Sequence, residues 1–329
     1  MRARRIKTEP GGFIVVVVLC MVMMLSVLLL GFHYEARANL RSVDDFRKSE
    51  QALHCAHAGL HIAIAASQDR PDRQTDKRWL SLLSGENTFT VGEGQCTVTV
   101  SEETGKLNVN VLKDKSGKLN RIKIDQVLRL FDLLNQQKDA QPKINYGLVP
   151  SIIDWIDIDN QVSHLPFIRY EAKGAESSYY ERLKPSYTCK NGLLETTEEL
   201  LLVKGMTPEI FDRVSDYLTV YGDGKISINY ASPLVLQSLS EEMDWALARL
   251  IVDRRKRAPF ESVAELRELP GMRDSIYNAL RRGATVKPTS DHYHIISQGS
   301  VDELTRTLVA IVTKNAATKN VDICLYKEL

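Results

Sequence analysis

Gly11-Gly12-Phe13-Ile14-Val15-Val16-Val17-Val18-Leu19-Cys20-Met21-Val22-Met23-Met24-Leu25-Ser26-Val27-Leu28-Leu29-Leu30-Gly31-Phe32 is the stretch on which the reading of this chain turns. From Phe13 to Phe32 no residue is charged, and as a helix rising ~1.5 Å per residue the run spans ~30 Å, the thickness of a bilayer core. Arg2, Arg4, Arg5 and Lys7 precede it against Glu9 alone. Basic flanks stay in the cytoplasm, so the expectation is a single-pass inner-membrane protein with a cytoplasmic N-terminus and everything after about His33 in the periplasm. Ala36-Arg37-Ala38 has the small-x-small form of a signal-peptidase site. The apolar run, however, is longer than the ~7 to 15 residues of a secretory signal core. Leu19 before Cys20 also breaks the lipoprotein pattern.

The remaining composition is that of a folded protein. In 329 residues there are 43 Lys and Arg against 42 Asp and Glu, with 43% hydrophobic residues, enough for one large or two modest domains. The net charge is +1, and the N-terminal basic cluster accounts for more than all of it. A slightly acidic body argues against a surface built for nucleic-acid phosphates.

Beyond the apolar run, Leu40, Val43, Phe46, Leu53, Leu60 and Ile64 recur at helical spacings. One helix from Phe13 to about Ala66 is predicted, its second half packed on a sheet and ended by Arg70-Pro71-Asp72. Cys96 to Ser101 and Lys106 to Leu112 alternate with period two and predict an antiparallel hairpin. From about Asn120 to Lys287 helices dominate, with Thr196/Glu199 and Ser262/Glu265 as capping boxes and Thr207-Pro208 and Ser232-Pro233 as starts. Tyr293 to Val301, Leu304 to Val312 and Val321 to Tyr326 return to strands. The predicted fold class is α+β: a long N-terminal transmembrane helix packed on a small antiparallel sheet, with a large inserted all-helical domain. The expected organisation is a leader at 1–12, a membrane helix at 13–36, an α/β domain from 37–118 and 288–329, and the helical insertion at 119–287.

Cys55, Cys96, Cys189 and Cys324 fall in an oxidising compartment and allow three complete pairings. Cys96 and Cys324, both on predicted strands, are the preferred pair. His54, His57 and His61 share a helix face with Cys55 near, which offers metal ligands, but a single helix supplies them all and the favoured reading is polar surface. Asp154-Trp155-Ile156-Asp157-Ile158-Asp159-Asn160, followed by Gly174-Ala175-Glu176-Ser177-Ser178-Tyr179-Tyr180, is the densest constellation of carboxylates. Acids this close repel one another without a cation, and Ca²⁺ takes six to eight oxygens. The competing reading is a helix end running into a polar loop. Counting from Asp157 puts Ile168 where an EF-hand needs its bidentate Glu, so that motif is excluded.

Gly11-Gly12-Phe13 after a short basic leader resembles the signal of type IV pilins and type II secretion pseudopilins. The resemblance implies cleavage by prepilin peptidase between Gly12 and Phe13 and N-methylation of Phe13. The fifth residue after that cut is Val17, where most such subunits carry Glu, and this departure resembles the minor pseudopilin K family, the general secretion pathway protein K. That family has Asp-Trp-x-Asp-x-Asp followed by Gly-Ala-Glu and Tyr-Tyr. Glu199-Leu200-Leu201 with Gly205-Met206-Thr207, and Lys225-Ile226-Ser227-Ile228-Asn229-Tyr230-Ala231, also resemble family segments, with Ser227 replacing Asn and Tyr230 replacing Thr. The resemblance implies calcium held by Asp154, Asp157, Asp159 and Glu176, and a tip subunit that initiates the pseudopilus. It further implies other minor pseudopilins as partners, contact with the outer-membrane secretin or exported substrates, and no nucleic acid.

The rival reading is a membrane-anchored helix-hairpin-helix DNA-binding protein of the competence type, suggested by Ile226 to Gly271 and by Arg254-Arg255-Lys256-Arg257. Such hairpins use Gly-hydrophobic-Gly to approach phosphate, and Gly205-Met206-Thr207 and Gly271-Met272-Arg273 lack the second Gly. Gly-x-Ser-x-Gly, His-Glu-x-x-His and the P-loop string are absent, so an enzyme is not expected.

Overall fold

The computed structural model describes residues 11–68, 85–114, 116–138, 141–165, 173–286, 292–314 and 320–329. Most of the leader and Arg70-Pro71-Asp72 lie outside these. Helix α1 runs over Gly11–Gln68, fifty-eight residues without a break. Its apolar first half is bare, and its later half lies across a five-stranded antiparallel sheet. The strands are β1 (Asn87–Val91), β2 (Gly94–Glu102), β7 (His292–Val301), β8 (Leu304–Lys314) and β9 (Val321–Glu328), in that spatial order. Strand alternation turns Cys96, Val98, Val100, Tyr293, Ile295, Leu308, Ala310 and Val312 toward the helix.

The helix meets that face with small residues, Ala52, Cys55, Ala56 and Ala63, beside Leu60. Small side chains allow the helix axis to come close to the sheet. At Gly299 of β7 a Cβ would overlap the carbonyl oxygen of Ala52 and the amide nitrogen of Ala56. Leu40, Val43 and Phe46, expected to join this packing, remain about two-thirds exposed or more, because they lie before the helix reaches the sheet.

Residues 103–286 leave the sheet after β2 and return at β7, and they carry a core of their own. In chain order the elements are β3 (Leu107–Asn108), α2 (Arg121–Gln136), α3 (Leu148–Ile156), α4 (Ser177–Tyr180), α5 (Pro208–Val214), β4 (Leu218–Thr219), β5 (Ile226–Ser227), α6 (Pro233–Ser238), α7 (Trp245–Arg257), α8 (Asp274–Gly283) and β6 (Ala284–Thr285). Both predicted capping boxes form, but each opens a 3₁₀ segment, Thr197–Leu202 and Val263–Glu268, rather than an α-helix. Thr207 and Ser232 cap α5 and α6 through their hydroxyls ahead of a first-turn Pro.

Two expectations need correction. Lys106 to Leu112 does not form a hairpin with β2; β2 pairs with β1 and β7, while Leu107 and Asn108 pair in parallel with Leu218 and Thr219. Leu107, Val109 and Leu112 therefore belong to the helical core, and the first sheet segment ends at Glu102, not at 118. The alternation there is real, but its polar members serve the loops: Asn110 binds the backbone of Leu194 and Val220 through its side chain. The second correction is the Cys96–Cys324 pair. Strands β7 and β8 stand between β2 and β9, a separation on the order of 14 Å at ~4.8 Å per strand. Cys96 is buried and Cys324 exposed, and a disulfide needs Cα atoms within ~7 Å.

Candidate metal centre

Helix α3 is buried along its whole length, from Leu148 to Ile156. Its end is where the acids gather. Asp157 turns extended, with its amide still bonded to Ile153 O at 3.1 Å. Asp159 Oδ1 accepts from the Gln161 amide at 2.8 Å and fixes the first bend of the loop. The loop returns through an isolated antiparallel bridge between His164 and Lys173, with Gly174 N bonded to Ser163 O at 3.1 Å. That closure delivers Glu176, the residue before α4, to the end of α3.

One carboxylate oxygen each from Asp157, Asp159 and Glu176 lie within 4.8 Å of one another. Asp154 stands to one side of this trio. Its Oδ1 accepts the Ser163 amide at 2.8 Å, and its Oδ2 faces Gly174, where a Cβ would overlap it. Asp154 thus ties the returning strand of the loop to α3. Lys113, from the loop between β3 and α2, pairs with Asp157 Oδ2 and lies 3.8 Å from Asp159 Oδ2.

The electrostatics of the cluster are unbalanced. Glu176, Asp157 and Asp154 are 3%, 7% and 0% exposed. Both oxygens of Glu176, Oδ1 of Asp157 and Oδ2 of Asp154 are buried without a hydrogen-bond partner. Burial, then the neighbouring Asp154, Asp157 and Asp159, push the Glu176 carboxyl up to about 7. Burial also raises Asp154 and Asp157, and for Asp157 it outweighs the lowering by Lys113. The orphaned oxygens of Asp157 and Glu176, with a carboxylate oxygen of Asp159 within 4.8 Å, are a donor set of the hard-oxygen type that Ca²⁺ accepts, and they fit a cation better than they fit each other. Asn191, held at φ +50°, bonds Asp159 O and Asn160 Oδ1 and leaves its own Oδ1 buried and unpaired nearby.

An aromatic shelf supports the site. Trp155 meets Tyr180 edge-on at 5.1 Å and Tyr187 at 6.2 Å, and Tyr180 stacks on Tyr187. Lys204 caps the returning loop, its Nζ bonded to Gly174 O at 3.2 Å and lying 5.0 Å from the Tyr179 ring centroid. Of the four acids expected at a metal site, the structure gathers three and gives Asp154 a bracing hydrogen bond. Lys113 and Asn191 were not foreseen: each comes from a distant loop, and neither local pattern marks it.

Two of the four basic residues expected of the DNA-binding rival, Arg254 and Arg255, are spent on the fold, while Lys256 and Arg257 are exposed. Arg255 donates to the carbonyls of Ile228 and Ala231 at 2.6 and 2.7 Å. Arg254 pairs with Glu265 at 3.4 Å and lies over the Phe260 ring.

Comparison with known proteins agrees with this architecture. Residues 105–223 and 226–287 match the family Type II secretion system (T2SS), protein K. The type II secretion system protein K of Pectobacterium carotovorum subsp. carotovorum is 23% identical over 302 residues, 87% of this chain and 86% of that protein. That of Klebsiella pneumoniae is 23% identical over 199 residues, 59% of this chain, and the match spans only 58% of the Klebsiella protein. The crystal structure of the GspK-GspI-GspJ complex from enterotoxigenic Escherichia coli contains a chain of the same fold. Its TM-score is 0.67 at 19% identity, covering 88% of this chain and 99% of that one. With residues 105–223 and 226–287 both matched, and the long helix, sheet and helical insertion in place, the chain belongs to the type II secretion system protein K family of minor pseudopilins.

Proposed function

We propose that this pseudopilin occupies the tip of the pseudopilus, initiates its assembly with other minor pseudopilins, and so supports export across the outer membrane. The observation that carries this reading is the helical body. Residues 103–286 carry a second core inserted between β2 and β7, a bulk that supports a place with no further subunit stacked above it. Val17 supports the same place. A buried carboxylate in the bilayer needs a partner, and a first subunit has no earlier subunit to provide or require one. The solved relative is in complex with GspI and GspJ, which supports partners of that class here.

In this reading prepilin peptidase cuts between Gly12 and Phe13, Phe13 is N-methylated, and α1 anchors the chain once in the inner membrane with its C-terminal body in the periplasm. The helix is long and apolar enough for that role. Asp157, Asp159 and Glu176 hold Ca²⁺, with Asp154 bracing the loop. The ion supplies the charge that lets these buried acids ionise together, and its role is structural rather than catalytic.

The test is mild crosslinking in membranes followed by recovery of the full chain. Other minor pseudopilins in one-to-one amounts support the reading, and recovery of DNA overturns it. Mass spectrometry of the same sample gives the N-terminus, and a chain starting at Asn39 would refute the pilin-type cut. Periodic occurrence along the filament would refute the tip position.

A further inference from the structure

Lys113 sits at the outer side of the acidic cluster, with 16% of its side chain exposed. Its ammonium pairs with Asp157 Oδ2 and faces Asp159, whereas the orphaned oxygens of Asp157, Glu176 and Asp154 lie beyond its reach. A cleft of about 540 Å³ opens beside it, lined by Lys113, Asp114, Asp157, Asp159 and Asn191. Among the described residues one ammonium, that of Lys113, is paired into the cluster of Asp157, Asp159 and Glu176, placed so that a divalent ion at the unpaired oxygens meets it across a shared Asp157.

We propose that Lys113 is the resident counter-charge of this site, keeping the helical body folded without a metal and weakening the hold on the divalent ion that competes with it. Two cations on one carboxylate repel, and at a partly buried site that repulsion is screened far less than in water. When the ion binds, the ammonium loses its reason to stay against Asp157 and has the cleft to turn into. A metal-free chain is then stable enough to await the ion, and the affinity is set below what the three acids alone would give. The inference rests on the calcium reading above.

Isothermal titration of the full chain in mild detergent, with Ca²⁺ as the probe, tests it. Lys113→Met should bind Ca²⁺ about tenfold or more tightly, and in chelator it should melt at a lower temperature than the unaltered chain. Lys113→Arg, which keeps the charge, should bind like the unaltered chain. Lys113→Gln gives the same comparison as K113M if the apolar variant does not fold. If the unaltered chain binds calcium and K113M and K113Q bind equally or more weakly, the lysine is a positioning group or a bystander, and the inference alone fails. Absence of binding by every chain overturns the calcium reading and the inference with it.

Discussion

Gly299 of β7 lies directly under Ala52 of α1, so close that a Cβ at 299 would overlap the Ala52 carbonyl oxygen and the Ala56 amide nitrogen. The obstacle is helix backbone, which cannot rotate away as a side-chain tip can. Gly299→Ala must therefore lift α1 from the sheet, and overpacking of this kind costs about 1–3 kcal/mol. Denaturant unfolding of the full chain should show the loss, and an unchanged midpoint would mean that the helix does not rest on the sheet at this point.

The long apolar helix, the strands at 292–314 and the capped starts of the helical body were legible because each is written in local sequence. The uninterrupted apolar run, period-two alternation and Ser/Thr caps before Pro or Glu all act within a few residues of themselves. The pairing of β2 was not legible. Its true neighbours are β1, a short strand, and β7, nearly two hundred residues on, and the nearby alternating run at 106–112 offered a closer but wrong partner. At the acidic site the carboxylates showed in the sequence, since three lie within six residues. Lys113 and Asn191 did not, because the fold alone brings their loops there.

Metal-free stability should fall as pH rises from about 4.5 to 7. Glu176 releases its proton near its ordinary 4.5 when unfolded and near about 7 when folded, because burial and its acidic neighbours oppose the charge. Between those values the folded state holds the extra proton, so stability present below 4.5 is progressively lost on the way to 7. Asp154 and Asp157 shift the same way. Glu199 acts oppositely: despite burial, Lys190 and the amides of Glu195 and Thr196 hold it low, so its contribution fades only as pH falls below 4.5. Thermal melts in chelator should show the decline, Glu176→Gln should flatten it, and calcium should remove it. A rise in melting temperature across the same range would contradict the buried, unpaired state of Glu176.

Gly174→Ala should damage the site without removing a carboxylate. The added Cβ would overlap Asp154 Oδ2 and stand 2.6 Å from Pro150 O. The loop must then move off α3, carrying Glu176 with it, since only the short segment Gly174-Ala175-Glu176 links them. The expected outcome is loss of most of the calcium-dependent rise in melting temperature, together with destabilisation of about 1–3 kcal/mol in chelator. If the rise survives intact, Glu176 does not depend on this contact for its place.

The sheet order makes a prediction about thiols that runs against the simplest pairing of Cys96 with Cys324. Cys55, Cys96 and Cys189 are buried and Cys324 is exposed. Burial raises the thiol pKa of all three buried cysteines, with Cys55 adding to the effect on Cys96 and Cys189 pushed up to about 11. Alkylation requires both access and thiolate. In the native full chain, maleimide should therefore label Cys324 within the first minutes at pH 8. Cys55, Cys96 and Cys189 should react only after denaturation. Peptide mapping without reductant reads both results at once. A linked peptide joining Cys96 to Cys324 would require β2 and β9 to be neighbours, and would overturn the strand order β1-β2-β7-β8-β9 on which the insertion of the helical body depends.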